Sequence, residues 1–101
     1  MFLRKAVSKD EVLLAVSGPL SGEVTSEFHL NMEELAAGGH ATITLDFSQT
    51  TTINSSVLGK ILLFRKKLAE EGRTLQIQGC SDALYKTFQM IKFDTLITIK
   101  K

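Results

Sequence analysis

At Asn54 the hydrophobic period of the chain switches from two to roughly 3.6, the signature of a strand handing over to a helix. Upstream, Ala41 to Phe47 puts Ile43, Leu45 and Phe47 on one side, as suits a strand flanked by helices. A polar loop is expected next. Downstream, Leu58, Ile61, Leu62 and Leu68 recur near helical spacing as far as Glu71 and Gly72. Asn54 has a side chain suited to cap that helix, which should open at about Ser55, and Gly72 suits a left-handed stop. Ser55 then lies in a first turn, where backbone N–H groups lack partners and the macrodipole is positive. A phosphate on Ser55 or Ser56 would meet favourable electrostatics there.

The remaining segments alternate in the same way. Phe2 to Val7 and Val12 to Val16 flank the charged turn Ser8-Lys9-Asp10-Glu11, a hairpin pattern. A turn is expected at Gly18-Pro19-Leu20. Val24, Phe28, Met32 and Leu35 then mark a first helix ended by Gly38-Gly39. Leu75, Ile77 and Gly79 read as a strand, and Ser81 or Asp82 caps a third helix with Leu84, Thr87, Phe88 and Ile91 on one stripe. Leu96, Ile97 and Ile99 make a closing strand. The order β-β-α-β-α-β-α-β gives an α/β domain over residues 1–101, a mixed sheet with helices packed on it. Phe28, Leu45, Leu62 and Phe88 are expected in its core. The loops after Ser17 and Phe47 should emerge on one sheet edge, the edge that favours binding.

A chain of 101 residues buries somewhat over ~60% of its unfolded surface, enough for one core but not for a large catalytic cavity as well. With 12 basic and 11 acidic residues the net charge is +1, which gives no reason to expect nucleic acid or an anionic membrane as partner. The cluster Arg65-Lys66-Lys67 reads as a solvated helix face, with Lys66 placed to pair with Glu70. One cysteine, Cys80, fits a reducing cytosol and a small buried role at a strand end. With no signal-peptide pattern and no run near ~18 apolar residues, a cytoplasmic protein is expected.

Catalysis finds little support. Ser55 with His29 or His40 lacks a Gly-x-Ser-x-Gly elbow, two histidines and one cysteine lack zinc spacing, and no phosphate-cradling glycine loop occurs. A receiver-like reading of Asp46 as phosphoryl acceptor needs further carboxylates for Mg²⁺, and the first strand ends Ala6-Val7-Ser8 without them. Asp46 reads more simply as an acceptor for the following loop. No catalytic residue, cofactor or metal is expected.

The run Leu45-Asp46-Phe47, then Asn54-Ser55-Ser56-Val57-Leu58-Gly59, resembles the STAS domain of the anti-sigma factor antagonists, whose pattern is an aliphatic-Asp-hydrophobic strand end, a loop and Asp-Ser-Ser-Gly-Leu-Gly opening a helix. Asn54 stands where the family has aspartate, and Val57 where it has glycine. The resemblance extends over nearly the whole chain. It implies a STAS-like fold and a partner-switching role, with an anti-sigma factor of serine kinase activity as partner, phosphorylation at Ser55 and a serine phosphatase to reverse it. The implied partner-binding positions are Gly18, Leu20, Asn54, Ser55, Ser56, Val57 and Leu58. The alternative is an unphosphorylated STAS module serving as a structural subunit of a signalling scaffold or transporter complex.

Overall fold

The computed structural model describes residues 2–100. Its first two strands, β1 (Phe2–Ala6) and β2 (Glu11–Leu20), form an antiparallel hairpin running from Phe2↔Val16 to Ala6↔Val12. From β2 onward every pairing is parallel: β2 with β3 (Thr42–Ile53), β3 with β4 (Thr74–Gln78), and β4 with the two-residue β5 (Thr98–Ile99). The strand order is β1-β2-β3-β4-β5. Each parallel step therefore moves one place in the same direction, through α1 (Val24–Ala37), α2 (Ser55–Glu70) or α3 (Asp82–Met90). Because such crossovers are right-handed, three steps in one direction place all three helices on one face.

Burial follows that geometry. Val12, Leu14, Val16, Ile43, Leu45, Phe47, Leu75 and Ile77 point to the helix layer and are buried. The opposite face carries no helix and is largely polar. There Thr44, fully buried, donates to a Glu11 carboxylate oxygen at 2.9 Å and accepts from the Gln76 amide at 2.9 Å. On the helix side, the Phe2 ring lies 6.3 Å from Phe28 on α1, and Phe88 on α3 lies 6.4 Å from Phe47.

Two expected loops are strand instead. Ser48 to Ile53 continues β3, and Gly18-Pro19-Leu20 closes β2 rather than turning. The pairing passes from Ala15↔Asp46 to Ser17↔Gln49 and from Gly18↔Thr50 to Leu20↔Ile53, so β3 spends one extra residue at each step. Such bulges interrupt the two-residue alternation by which a strand is recognised. The loops leave the sheet after Leu20 and Ile53, not after Ser17 and Phe47.

The other corrections concern which residues face inward. On α2 the buried set is Val57, Ile61, Phe64 and Leu68, with Leu58 and Leu62 only partly covered at its flank. Leu62 is therefore not the core residue expected, whereas Phe28, Leu45 and Phe88 are fully buried. Ile91 caps α3 and is 48% exposed, off the expected stripe. A 3₁₀ turn at Phe93–Thr95 follows, and Phe93 stacks on Phe88 at 5.3 Å. Leu96 is left 44% exposed ahead of the short β5.

Arg73 holds the far end of the helix layer. Its guanidinium donates to the carbonyls of Leu35 and Ala36, at 3.2 and 2.7 Å, and to that of His40 at 2.7 Å. The first two are terminal carbonyls of α1, so a cation meets the negative end of that helix's dipole. Glu71 pairs with Arg73 at 2.9 Å, and Lys66 has no carboxylate within ion-pair distance among the described residues, so the expected Lys66–Glu70 pair is absent.

Arg73→Met should lower stability by about 2–3 kcal/mol, because it strands helix-end carbonyls that had charged donors. Ile61→Ala should cost roughly 2–5 kcal/mol through lost transfer energy and a cavity, and Leu62→Ala distinctly less. Urea unfolding midpoints measure both, and equal losses at positions 61 and 62 would contradict the observed packing.

Candidate functional site

β2 and β3 end side by side, and the loops that leave them open α1 and α2 at the same sheet edge. The backbone N–H of Asn54 donates to the Leu20 carbonyl at 3.3 Å, which joins the end of β2 to the start of α2. Asn54 is extended and its side-chain oxygen accepts from the N–H of Val57 at 2.9 Å, the cap expected from its residue type. The N–H of Leu58 then closes the first helical bond on the Asn54 carbonyl at 3.3 Å. Two first-turn donors, on Ser55 and Ser56, have no partner among the described residues. Both serines are exposed. The helix begins at the predicted residue and ends at Glu70, with Gly72 left-handed just beyond.

The expected partner-contact set divides by burial. Leu20 and Val57 are 0% exposed and belong to the core, so neither side chain is open to a partner. Val57 is held inside because the third position of the first turn faces the sheet. Asn54, Leu58 and Gly18 are half-buried, and Gly18 has φ +85°, a left-handed conformation that disfavours a side chain. Between the end of β3 and α3 lies a groove of about 260 Å³ lined by Thr51, Thr52, Ile53, Ala83, Leu84 and Thr87. Sequence reasoning missed it, since it forms only when α3 packs along the bulged end of β3.

His29 pairs with Glu33 and lies 5.5 Å from the Phe64 ring, and His40 precedes β3 while Ser55 follows its other end. Among the described residues no three His, Cys, Asp or Glu side chains group to hold a metal ion. Asp46 accepts from the N–H of Ser48 at 2.9 Å, so its carboxylate closes the first bulge of β3. Gly79, at φ +75°, crosses directly over it. A Cβ there would stand 2.7 Å from the Asp46 Oδ1 and 3.0 Å from the Ser48 Cβ, so any side chain would force the bulge to shift.

Next to Gly79, Cys80 is buried, and that burial together with the charge of Asp46 pushes its thiol up to about 11. The neutral thiol is thus favoured by folding. As pH rises from the ordinary thiol value of about 9 towards 11, the unfolded chain loses its proton first and stability falls. Thermal melts from pH 8 to 11 should show a shallower decline for Cys80→Ala than for the parent chain; identical slopes would contradict this assignment.

Comparison with known proteins agrees with the fold. A family model described as "Mlab, STAS domain" matches residues 3–98. Among solved structures, a putative anti-sigma factor antagonist from Thermotoga maritima superposes with a TM-score of 0.88 at 22% identity, over 99% of this chain and 86% of that one. The unphosphorylated form of the anti-sigma factor antagonist SpoIIAA, a Bacillus protein, gives 0.83 at 18% identity, over 100% and 89%. The STAS domain of a SulP transporter from Vibrio cholerae gives 0.72 at 10% identity, over 95% and 77%. No protein of curated description matches the sequence. Among the described residues no helix is long and apolar enough to cross a membrane.

Proposed function

The chain belongs to the STAS domain family, and on that footing we propose that it is an anti-sigma factor antagonist, regulated by phosphorylation of Ser55. The observation that carries the reading is the start of α2: an exposed serine in the first turn, behind a capping asparagine, with two unpaired N–H groups. In the unmodified state the surface formed by Asn54, Ser55, Ser56, Leu58 and Gly18 binds an anti-sigma factor that is also a serine kinase, and the sigma factor is freed. The kinase then moves the γ-phosphoryl group of ATP to the Ser55 hydroxyl oxygen, the proton passing to a kinase base and ADP leaving. The new group brings about −1.5 to −2 charge, which the helix N-terminus tolerates but a desolvated partner surface does not, so the partner is released. A serine phosphatase resets the cycle. The domain itself performs no catalysis in this scheme, and it works in the cytoplasm.

A second reading draws on the transporter STAS domain among the structural neighbours: an unphosphorylated subunit of a transporter or signalling assembly. Neighbouring genes for a kinase and a phosphatase favour switching, and neighbouring transporter genes favour the subunit.

Incubation with the cognate kinase and ATP, followed by mass spectrometry, should find phosphate on Ser55. Ser55→Ala should retain partner binding and take no phosphate, and Ser55→Asp should weaken binding by up to about tenfold, or 1.4 kcal/mol. Asn54 is engaged with the Val57 N–H, so Asn54→Asp should keep the cap while adding a negative charge beside the acceptor. Its phosphorylation should be slower than that of the parent chain. Phosphate on Ser56, Thr51 or Thr52 alone, or on no residue, would put the subunit reading ahead.

A further inference from the structure

α1 and α2 pack side by side in the helix layer and run in the same direction, since each returns from one parallel strand to the next. They carry opposite charge. α1 with its capping residue contributes Glu23, Glu27, Glu33 and Glu34 and no lysine or arginine. α2 contributes Lys60, Arg65, Lys66 and Lys67 against Glu70 alone. Arg4 offsets Glu34 and His29 lies against Glu33, but Lys60, Lys66 and Lys67 have no carboxylate within ion-pair distance among the described residues. Each helix also exposes one leucine near its middle, roughly opposite its buried stripe: Leu30 is 59% exposed and Leu63 69%.

We infer that this face is an interface between two copies of the chain. A two-fold axis parallel to the helices lays the acidic α1 of one copy along the basic α2 of the other, and the same contact recurs on the far side of the axis. Leu30 then meets Leu63 of the second copy at both contacts. What selects a second copy is self-complementarity: helices of opposite sign lie side by side, and the contact of the His29 and Phe64 rings at 5.5 Å brings the chain neighbours of Leu30 and Leu63 to one level. The overall charge of +1 opposes association only weakly. Two helices about 20–24 Å long cover a strip about 20 Å wide, on the order of 500 Å² per copy. That is the low end for a specific interface, so the dimer is weak and salt-sensitive. It does not depend on phosphorylation of Ser55.

Sedimentation equilibrium of the full chain at low ionic strength should show a monomer–dimer equilibrium, lost near about 1 M salt, where the Debye length is about 3 Å. Two charge-reversed chains test the pairing: one with Lys66→Glu and Lys67→Glu, the other with Glu27→Lys and Glu33→Lys. Each alone should self-associate at least about tenfold more weakly, because like-charged helices would meet. An equimolar mixture should recover association, since both contacts then join opposite charges. Circular dichroism verifies that each variant is folded. A parent chain that remains monomeric at millimolar concentration in low salt, or a mixture that associates no better than either variant alone, overturns the inference.

Discussion

The handedness of the crossovers governs this molecule more than any single contact. A strand order equal to the chain order, with three parallel steps taken in one direction, leaves the helices a single face on which to pack. The sheet thereby acquires one apolar and one polar side, visible in β3, where Ile43, Leu45 and Phe47 are buried under helices and Asp46 is not. The same rule gathers the starts of α1, α2 and α3 at the carboxyl ends of the parallel strands. Ser55 is brought to that edge by topology.

Short-range signals were legible and long-range ones were not. Asn54 and the apolar residues after it are a local pattern, and α2 begins where they place it. Ser81 likewise caps α3, accepting from the Leu84 N–H at 3.2 Å. The ends of β2 and β3 were misread as loops because two bulges break the alternation, and polar residues such as Ser48, Gln49 and Thr51 look like a turn when their β2 partner is unknown. Leu62 was expected in the core and Phe64 not considered, because which of them faces inward turns on the rotation of α2 about its axis. That rotation is set by α1 and β4, which no window of sequence contains. Arg73 was passed over for the same reason, since its carbonyl acceptors lie more than thirty residues away along the chain.

The candidate site combines firm support with an open surface. Behind Ser55 stand the Asn54 cap, the bond from Asn54 to Leu20 and the buried Val57, all of which fix the first turn of α2. In front of it are two unpaired N–H groups, and the groove along α3 lies at the end of β3 that precedes them. A partner recognising this hydroxyl would meet a first turn whose backbone is already fixed, which would keep the entropy of ordering out of the binding step. Val57, where the family has glycine, spends its side chain on the core rather than on the surface.

The two rims of the sheet bear on how the protein behaves when crowded. A strand at the end of a sheet offers unpaired N–H and C=O groups to any extended chain, and a long, flat, uncharged rim templates aggregation. Here β5 contributes only Thr98 and Ile99, too little to align a second strand. β1 is longer, but it carries Arg4 and Lys5 in sequence, and a copy docking antiparallel would have to bring such charges together. Neither rim is a good seed. The described rims are thus guarded against runaway sheet growth, by brevity at one and, with Arg4 tied to Glu34, by the charge of Lys5 at the other.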